Sequence, residues 1–270
     1  MGHNLAGVNV ESRPDLLVRL VNDARLDMER RRALTTQDEL ERAIRGYTPK
    51  DFVGALRGDG LAVIAEMKQR TPTMGVLAED YRPVELARAY SEGGASAISI
   101  LTHMAGFGGR PEHIGTARLA TDLPILRKDF ITDAYEIGEA RAAGADAVLL
   151  IVAALEPADL RRLLTVVHSR GLSALVEVHD EEEAGTALEA GAKVIGVNHR
   201  DLRTFEVDLG LTERLRPLIP DDVPLVAESG IHSIDDARRM RDAGADAILV
   251  GEMLMRAPDP VACLRELASL

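Results

Sequence analysis

The 270-residue chain has no tryptophan, only four phenylalanines and four tyrosines, and a single cysteine. With hydrophobic residues at 46% and aromatics at 3%, the core has to be built from Ala, Val, Leu and Ile, which suit a parallel sheet covered by helices. The lone thiol, Cys263, excludes an internal disulfide and reads as a small core hydrophobe in an amphipathic final helix. Positive charge is short as well. A formal net charge of −12 argues against nucleic acid or an anionic membrane as the main partner, and an anionic substrate would need a local basic site. No uncharged apolar run reaches the roughly 18 residues that cross a bilayer. Met1–Val10 has neither the basic nor the apolar region of a signal peptide, and Ala6 breaks the myristoylation pattern after Gly2. The expectation is a soluble cytoplasmic protein.

What is present is a repeat: Gly94-Ala95-Ser96-Ala97-Ile98, Gly144-Ala145-Asp146-Ala147-Val148, Gly191-Ala192-Lys193-Val194-Ile195 and Gly244-Ala245-Asp246-Ala247-Ile248, spaced by 50, 47 and 53 residues. In each copy a charged segment of helical period ends at Gly and an apolar run comes next, which reads as helix, tight turn and buried strand. Four more candidate strands alternate with these, at Leu61–Lys68, Pro124–Asp129, Ser173–Val178 and Pro224–Ser229. Eight strands alternating with helices in a chain close to the ~250 residues of one α/β barrel predict a single-domain (β/α)8 barrel. An open doubly wound sheet is the alternative, and no Gly-x-Gly-x-x-Gly after the first strand supports it. About residues 1–60 form an N-terminal helical extension, with helices expected over Pro14–Arg31 and Thr36–Arg45 and a cap at Thr35 or Thr36. The charge run Glu29–Arg32 reads as a solvated helix face.

In such a barrel the active site lies at the C-terminal ends of the strands. Polar residues end six of the eight apolar runs: Glu66-Met67-Lys68, Lys128-Asp129, Glu177, Asn198-His199-Arg200, Glu228-Ser229-Gly230 and Gly251-Glu252. A single such charge is expected to be a structural pair closing the barrel mouth. As a group they put carboxylates, ammonium groups and an amide at one mouth, the makeup of an acid–base site. Ser229-Gly230 and Gly251-Glu252 come after the seventh and eighth strands, where barrels of this kind commonly hold phosphate on loop backbone. His103 has no second ligand at metal spacing, so no metal site is expected.

Ala65-Glu66-Met67-Lys68 with Thr71-Pro72-Thr73, Leu126-Arg127-Lys128-Asp129-Phe130, Leu175-Val176-Glu177-Val178-His179, Gly196-Val197-Asn198-His199-Arg200-Asp201-Leu202, Ala227-Glu228-Ser229-Gly230-Ile231 and Leu249-Val250-Gly251-Glu252 closely resemble the sequence blocks of the indole-3-glycerol-phosphate synthase family, in order and from about Asp15 to the end. The resemblance implies a carboxy-lyase of tryptophan biosynthesis. Its substrate would be 1-(2-carboxyphenylamino)-1-deoxyribulose 5-phosphate, converted without a cofactor to indole-3-glycerol phosphate, carbon dioxide and water. It implies Lys128 as the acid at the ketone oxygen, Glu177 as the acid for dehydration, Glu66 in proton transfer, Lys68 on the substrate carboxylate and Asn198 on its hydroxyls. Thr71, Phe107, Phe130, Arg200, Glu228 and Ser229 would contact substrate, and Ser229, Gly230, Gly251 and Glu252 would bind its phosphate. Other enzymes of the tryptophan pathway are the implied protein partners. Lys128→Ala is expected to abolish turnover with little loss of stability.

Two segments depart from the family pattern. Thr71-Pro72-Thr73-Met74 stands where the family shows Ser-Pro-Ser-Lys, and Thr102–Arg110 keeps one aromatic of a pair and has Arg110 in place of Ser. Drift on a mobile loop is one reading of the second departure. Another is a paralogue accepting a ring-substituted anthranilate, given room beside Gly106. A catalytically silent phosphosugar-binding barrel is a third, and retention of Lys128 and Glu177 speaks against it.

Overall fold

In the computed structural model, which describes residues 16–44, 46–58, 60–72, 75–201, 204 and 206–270, each repeat glycine ends a helix and turns the chain into a strand. Gly94, Gly144, Gly191 and Gly244 all adopt the left-handed conformation, at φ 86, 93, 89 and 87°, which a side chain would strain. The third residue of the motif has a second function. Asp146 accepts the Ile125 backbone N–H at 2.6 Å, Asp246 accepts that of Leu225 at 2.8 Å, and Ser96 accepts that of Val63 at 3.3 Å. The repeat thus ties the N-terminal ends of successive strands together.

The strands are β1 (Ala62–Met67), β2 (Ala97–Leu101), β3 (Ile125–Lys128), β4 (Ala147–Ile151), β5 (Ser173–Val178), β6 (Ile195–Asn198), β7 (Leu225–Glu228) and β8 (Ala247–Val250). They pair in parallel with their neighbours and close into a barrel, β8 returning to β1 with Ala62 opposite Ala247. A separate two-stranded hairpin, Arg70–Thr71 with Gly75–Val76, lies just after β1.

Alternation along each strand separates two cores. Val63, Ile98, Val148, Val176, Val197 and Ala227 face the surrounding helices, while Ile64, Ala97, Leu126, Leu149, Leu175 and Val226 fill the barrel. Cys263 is partly buried against the outer core.

Three helices precede the barrel: α1 (Leu16–Leu34), α2 (Gln37–Ala43) and α3 (Phe52–Ala55). Thr36 caps α2 in a reciprocal capping box with Glu39, as the sequence pattern suggests. The segment around α3 sits under the barrel, where Lys50 N–H bonds Asp146 at 2.8 Å and Phe52 is fully buried. Helix α1 docks near the opposite end, against α7 (Ala134–Ala143), the helix after β3, counting α4 (Pro83–Glu92), α5 (Met104–Phe107) and α6 (Glu112–Arg118) between. Here the expectation for Glu29–Arg32 holds for the exposed Glu29 and Arg30 and is corrected for the other two. Arg31 donates to Glu139 at 2.6 Å and Arg32 pairs with Asp133 at the start of α7, so two of the four charges anchor α1 to the barrel. Among the described residues no helix is long and apolar enough to cross a membrane.

Candidate active site

Along the strand registers, advancing one residue at each step, a path leads from Glu66 through Lys128, Glu177 and Glu228 and back to Glu66. These four side chains therefore form one interior layer contributed by β1, β3, β5 and β7, in the way (β/α)8 barrels stack their interiors. The corresponding layer further down is Ile64, Leu126, Leu175 and Val226, all apolar and buried. The uppermost layer has been converted wholly to charge, and it forms the floor of a cavity of about 470 Å³ open at the C-terminal mouth.

Lys128 is the hub. Its ammonium lies 3.2 Å from Glu177 Oε2 and 3.0 Å from Glu228 Oε2. Asn198 Nδ2 donates to Glu177 Oε1 at 3.1 Å, and Lys68 donates to Glu66 Oε1 at 2.8 Å. Burial alone would push the Lys128 ammonium down, but Glu228, Glu177 and Glu66 together hold it above its ordinary range. Burial likewise raises both carboxyls facing it, with different outcomes. For Glu177 the Lys128 charge, His179 and the Asn198 amide prevail and its carboxyl is held below the usual range. For Glu228 burial prevails, reinforced by the Glu177 charge, and its carboxyl is pushed up to about 7. Beyond the Lys128 ion pair, neither Glu228 oxygen has a hydrogen-bond partner among the described residues. The site thus holds a proton-rich ammonium between one ionised carboxylate and one carboxyl poised to titrate near neutrality, the separation that acid–base chemistry needs. It also revises the expected stability of Lys128→Ala, because losing the hub would strand two buried carboxylates.

The Leu126–Phe130 block is legible in this geometry. Leu126, Lys128 and Phe130 point inward, while Arg127 and Asp129 point outward and pair at 3.0 Å. Arg127 also bonds Glu139 at 2.8 Å and Thr102 at 3.1 Å, so the segment presenting Lys128 is clamped from behind.

The rest of the cavity divides by polarity. Leu16 and Leu20 of α1, Phe107, Phe130, Leu149 and Ile151 make an apolar wall, with the Phe107 and Phe130 rings stacked at 6.4 Å. Thr71, Arg200, Ser229, Gly230, Gly251 and Glu252 line the remainder, so every sequence-predicted site residue borders this one cavity. Thr73 and Met74, in the first divergent segment, lie outside the described residues. The second divergent segment is no open loop: Met104–Phe107 form the helical turn α5, capped by His103, whose Nδ1 accepts the Gly106 N–H at 3.1 Å. Only Phe107 of this turn lines the cavity. The space beside Gly106 is already filled, since a Cβ there would sit 3.0 Å from both Leu20 and His103. The room invoked for a substituted ring is therefore not found at Gly106.

Ser229 is the only non-glycine with positive φ among the described residues, at 65°, and Gly230 is next at 77°. Strain of this kind persists only where neighbours enforce it. His199, buried and pointing away from the cavity, does so by donating from Nδ1 to the Ser229 carbonyl at 3.0 Å while its Nε2 meets the Thr212 hydroxyl at 2.7 Å.

Several contributors carry no clear signal in the sequence. Leu16 and Leu20 come from a helix that reads as an appendage, and nothing in its pattern says which part of the barrel it meets. Gly196 stands out only as a member of a block, yet a Cβ there would fall inside van der Waals contact with Glu228 Oε1, so the carboxylate occupies the space a side chain would take. Gly251, already singled out in the sequence as a phosphate position, must be glycine for a similar reason, because a Cβ would lie 2.6 Å from Glu66 Oε1 and 3.0 Å from Lys68 Nζ.

Fold and site together define a (β/α)8-barrel enzyme with an acid–base centre at its C-terminal mouth. The model of the indole-3-glycerol phosphate synthase family matches residues 17–267, and the chain belongs to that family. It is 57% identical to indole-3-glycerol phosphate synthase 2 of Streptomyces coelicolor, over 91% of this chain and 95% of that protein. It is 48% identical to synthase 1 of the same organism, over 94% and 95%. Among solved structures, a thiamine phosphate pyrophosphorylase from Pyrococcus furiosus aligns at TM-score 0.61 and 25% identity over 77% of this chain and 94% of that one, a likeness of fold.

Proposed function

We propose that this protein converts 1-(2-carboxyphenylamino)-1-deoxyribulose 5-phosphate to indole-3-glycerol phosphate, carbon dioxide and water, as a carboxy-lyase of tryptophan biosynthesis. The observation that carries this reading is the charged layer of Glu66, Lys128, Glu177 and Glu228 beneath a cavity with one apolar wall. Ring closure needs an acid at the ketone oxygen, and Lys128 is a protonated ammonium at the centre of the floor. Its charge also stabilises the developing alkoxide. Lys68, reaching the rim beside Glu66, holds the substrate carboxylate until carbon dioxide leaves. Glu177, kept in place by Asn198, protonates the departing hydroxyl, and Glu66 receives the proton that aromatisation releases. Arg200, Asn198 and Glu228 flank the sugar hydroxyls, and Thr71, Phe107 and Phe130 enclose the ring end. The phosphate rests on backbone N–H groups of the Ser229-Gly230 and Gly251-Glu252 turns.

We also take the N-terminal extension and the barrel as one domain, since α1 supplies part of the ring wall. A phosphorylated intermediate does not cross bilayers unaided, which supports a cytoplasmic location beside the pathway enzymes that make and use it. Mixing the purified protein with the carboxyphenylamino deoxyribulose phosphate should give rising indole fluorescence over a low background, because the chain has no tryptophan. No indole and no carbon dioxide at any pH between 6 and 8 would refute the assignment.

A further inference from the structure

We propose that His179, oriented by Glu183, is the donor that supplies Glu177 with the proton each turnover consumes. The inference rests on the reaction proposed for this site. In that reaction the ring's electron pair forms the new carbon–carbon bond and the ketone oxygen takes one proton. The carbon–carboxylate bond then breaks with its electrons returning to the ring, and no proton is needed. The hydroxyl leaves as water with a second proton, and the carbon beside the nitrogen releases one. Two protons enter the substrate and one leaves it, so every cycle draws one net proton from outside the reacting groups.

His179 is placed to provide it. It sits just past β5, with Nε2 3.5 Å from Glu177 Oε1 and Nδ1 3.0 Å from Glu183 Oε2, where α9 (Glu181–Glu189) begins after α8 (Pro157–Ser169). The Glu183 carboxylate also accepts the His179 backbone N–H at 2.8 Å, which fixes the ring's base. Nε2 is buried and has no hydrogen-bond partner among the described residues, and the Glu177 carboxylate lies 3.5 Å from it. Burial disfavours a charged imidazole, but Glu183, Glu177 and Glu228 outweigh it and hold His179 above its ordinary range. His179 also borders a second cavity of about 570 Å³, lined by Asp180, Glu183, Glu206, Asp208 and Arg214, which shares only Asn198 with the lining of the substrate cavity. Through that cavity water would reach the His179–Glu183 pair, on the Nδ1 side of the ring, while substrate fills the mouth.

The charges set the order of events. Lys128 keeps Glu177 ionised at rest. Once Lys128 has given its proton to the ketone oxygen it is neutral, and burial then favours the protonated carboxyl. The lone pair of Glu177 Oε1 takes the Nε2 proton, the N–H electron pair stays on the imidazole, and Glu177 is charged as an acid in time for dehydration. Water in the second cavity returns the proton to His179, and the proton that aromatisation leaves on Glu66 goes back to Lys128, so the resting site is restored with one net proton taken from solvent.

The test is single-turnover stopped flow on the full chain, recording carbon dioxide release and indole fluorescence separately, with His179→Gln and Glu183→Gln. Glutamine at 179 still donates a hydrogen bond toward Glu177 but has no proton to give. Carbon dioxide release should stay within about threefold of wild type while indole formation slows by about tenfold or more. In the wild type the indole step should fall as pH rises and empties the imidazolium, and Glu183→Gln should move that fall to lower pH. Indole formation by His179→Gln within threefold of wild type would overturn the proposal, as would equal slowing of both steps. Glu183→Gln, remote from the substrate, decides through its pH profile should His179→Gln not fold. A wild-type protein releasing neither product would instead refute the reaction itself.

Discussion

Replacing Lys128 by methionine removes the cation but nearly keeps the volume, and the surrounding geometry sets the cost. Glu66 retains Lys68 at 2.8 Å, whereas Glu177 and Glu228 lose the ammonium that lay 3.2 and 3.0 Å away. Both are almost wholly buried, at 2% and 1% exposure. Stranding buried charge in this way costs about 3–5 kcal/mol. The carboxyls can avoid the cost by taking up protons, at about 1.4 kcal/mol per pH unit for each group. A carboxyl whose folded pKa is raised contributes full stability below its unfolded value and loses it as pH climbs through the folded one. The deficit of Lys128→Met against wild type should therefore be about 4 kcal/mol at pH 8 and no more than about 1 kcal/mol at pH 5. Urea unfolding of both proteins at pH 5, 6.5 and 8, at constant m, measures it. Turnover should drop by about a thousandfold or more at every pH, because acid and electrostatic stabilisation disappear together. A deficit that does not change with pH, or turnover within tenfold of wild type, would refute this distribution of charge over the barrel floor.

Gly196→Ala should lower stability by about 1–3 kcal/mol and depress kcat, since the new methyl displaces the Glu228 carboxylate; thermal unfolding and steady-state kinetics read both. Glu228→Gln should flatten the wild-type loss of stability between pH 5 and 8. The Glu228 carboxyl is pushed up to about 7, so its proton favours the fold at low pH and is lost as pH rises. Urea titrations at the two pH values check the sign. Ser229→Gly should relieve the left-handed backbone at φ 65° and raise stability by about 0.5–1 kcal/mol, while loosening the turn and raising KM for the phosphorylated substrate.

Much of this architecture is written in local patterns. A left-handed glycine with a small residue, a polar residue and an apolar run behind it dictates helix end, turn and strand start for four strands, and the four strands between them fall within one residue of their expected ends. Period-two alternation also tells which residues of Leu126–Phe130 share a face, and chain order assigns Glu66, Lys128, Glu177 and Glu228 to odd-numbered strands. Family blocks then supply names for roles. Closure decided the rest, because the one-residue step from strand to strand is a property of the whole barrel that no single segment encodes. That step brings four side chains, far apart in sequence, to one level, and from it come the ionised Glu177, the Glu228 carboxyl raised toward neutrality and the vacant volume required at Gly196. Packing of α1 was equally out of reach of the sequence, since Arg31 and Arg32 find Glu139 and Asp133 only after the chain has folded across more than a hundred residues. Local residue chemistry settles which elements form, whereas charge states and cavity walls depend on distances between segments, and those exist only in the folded molecule.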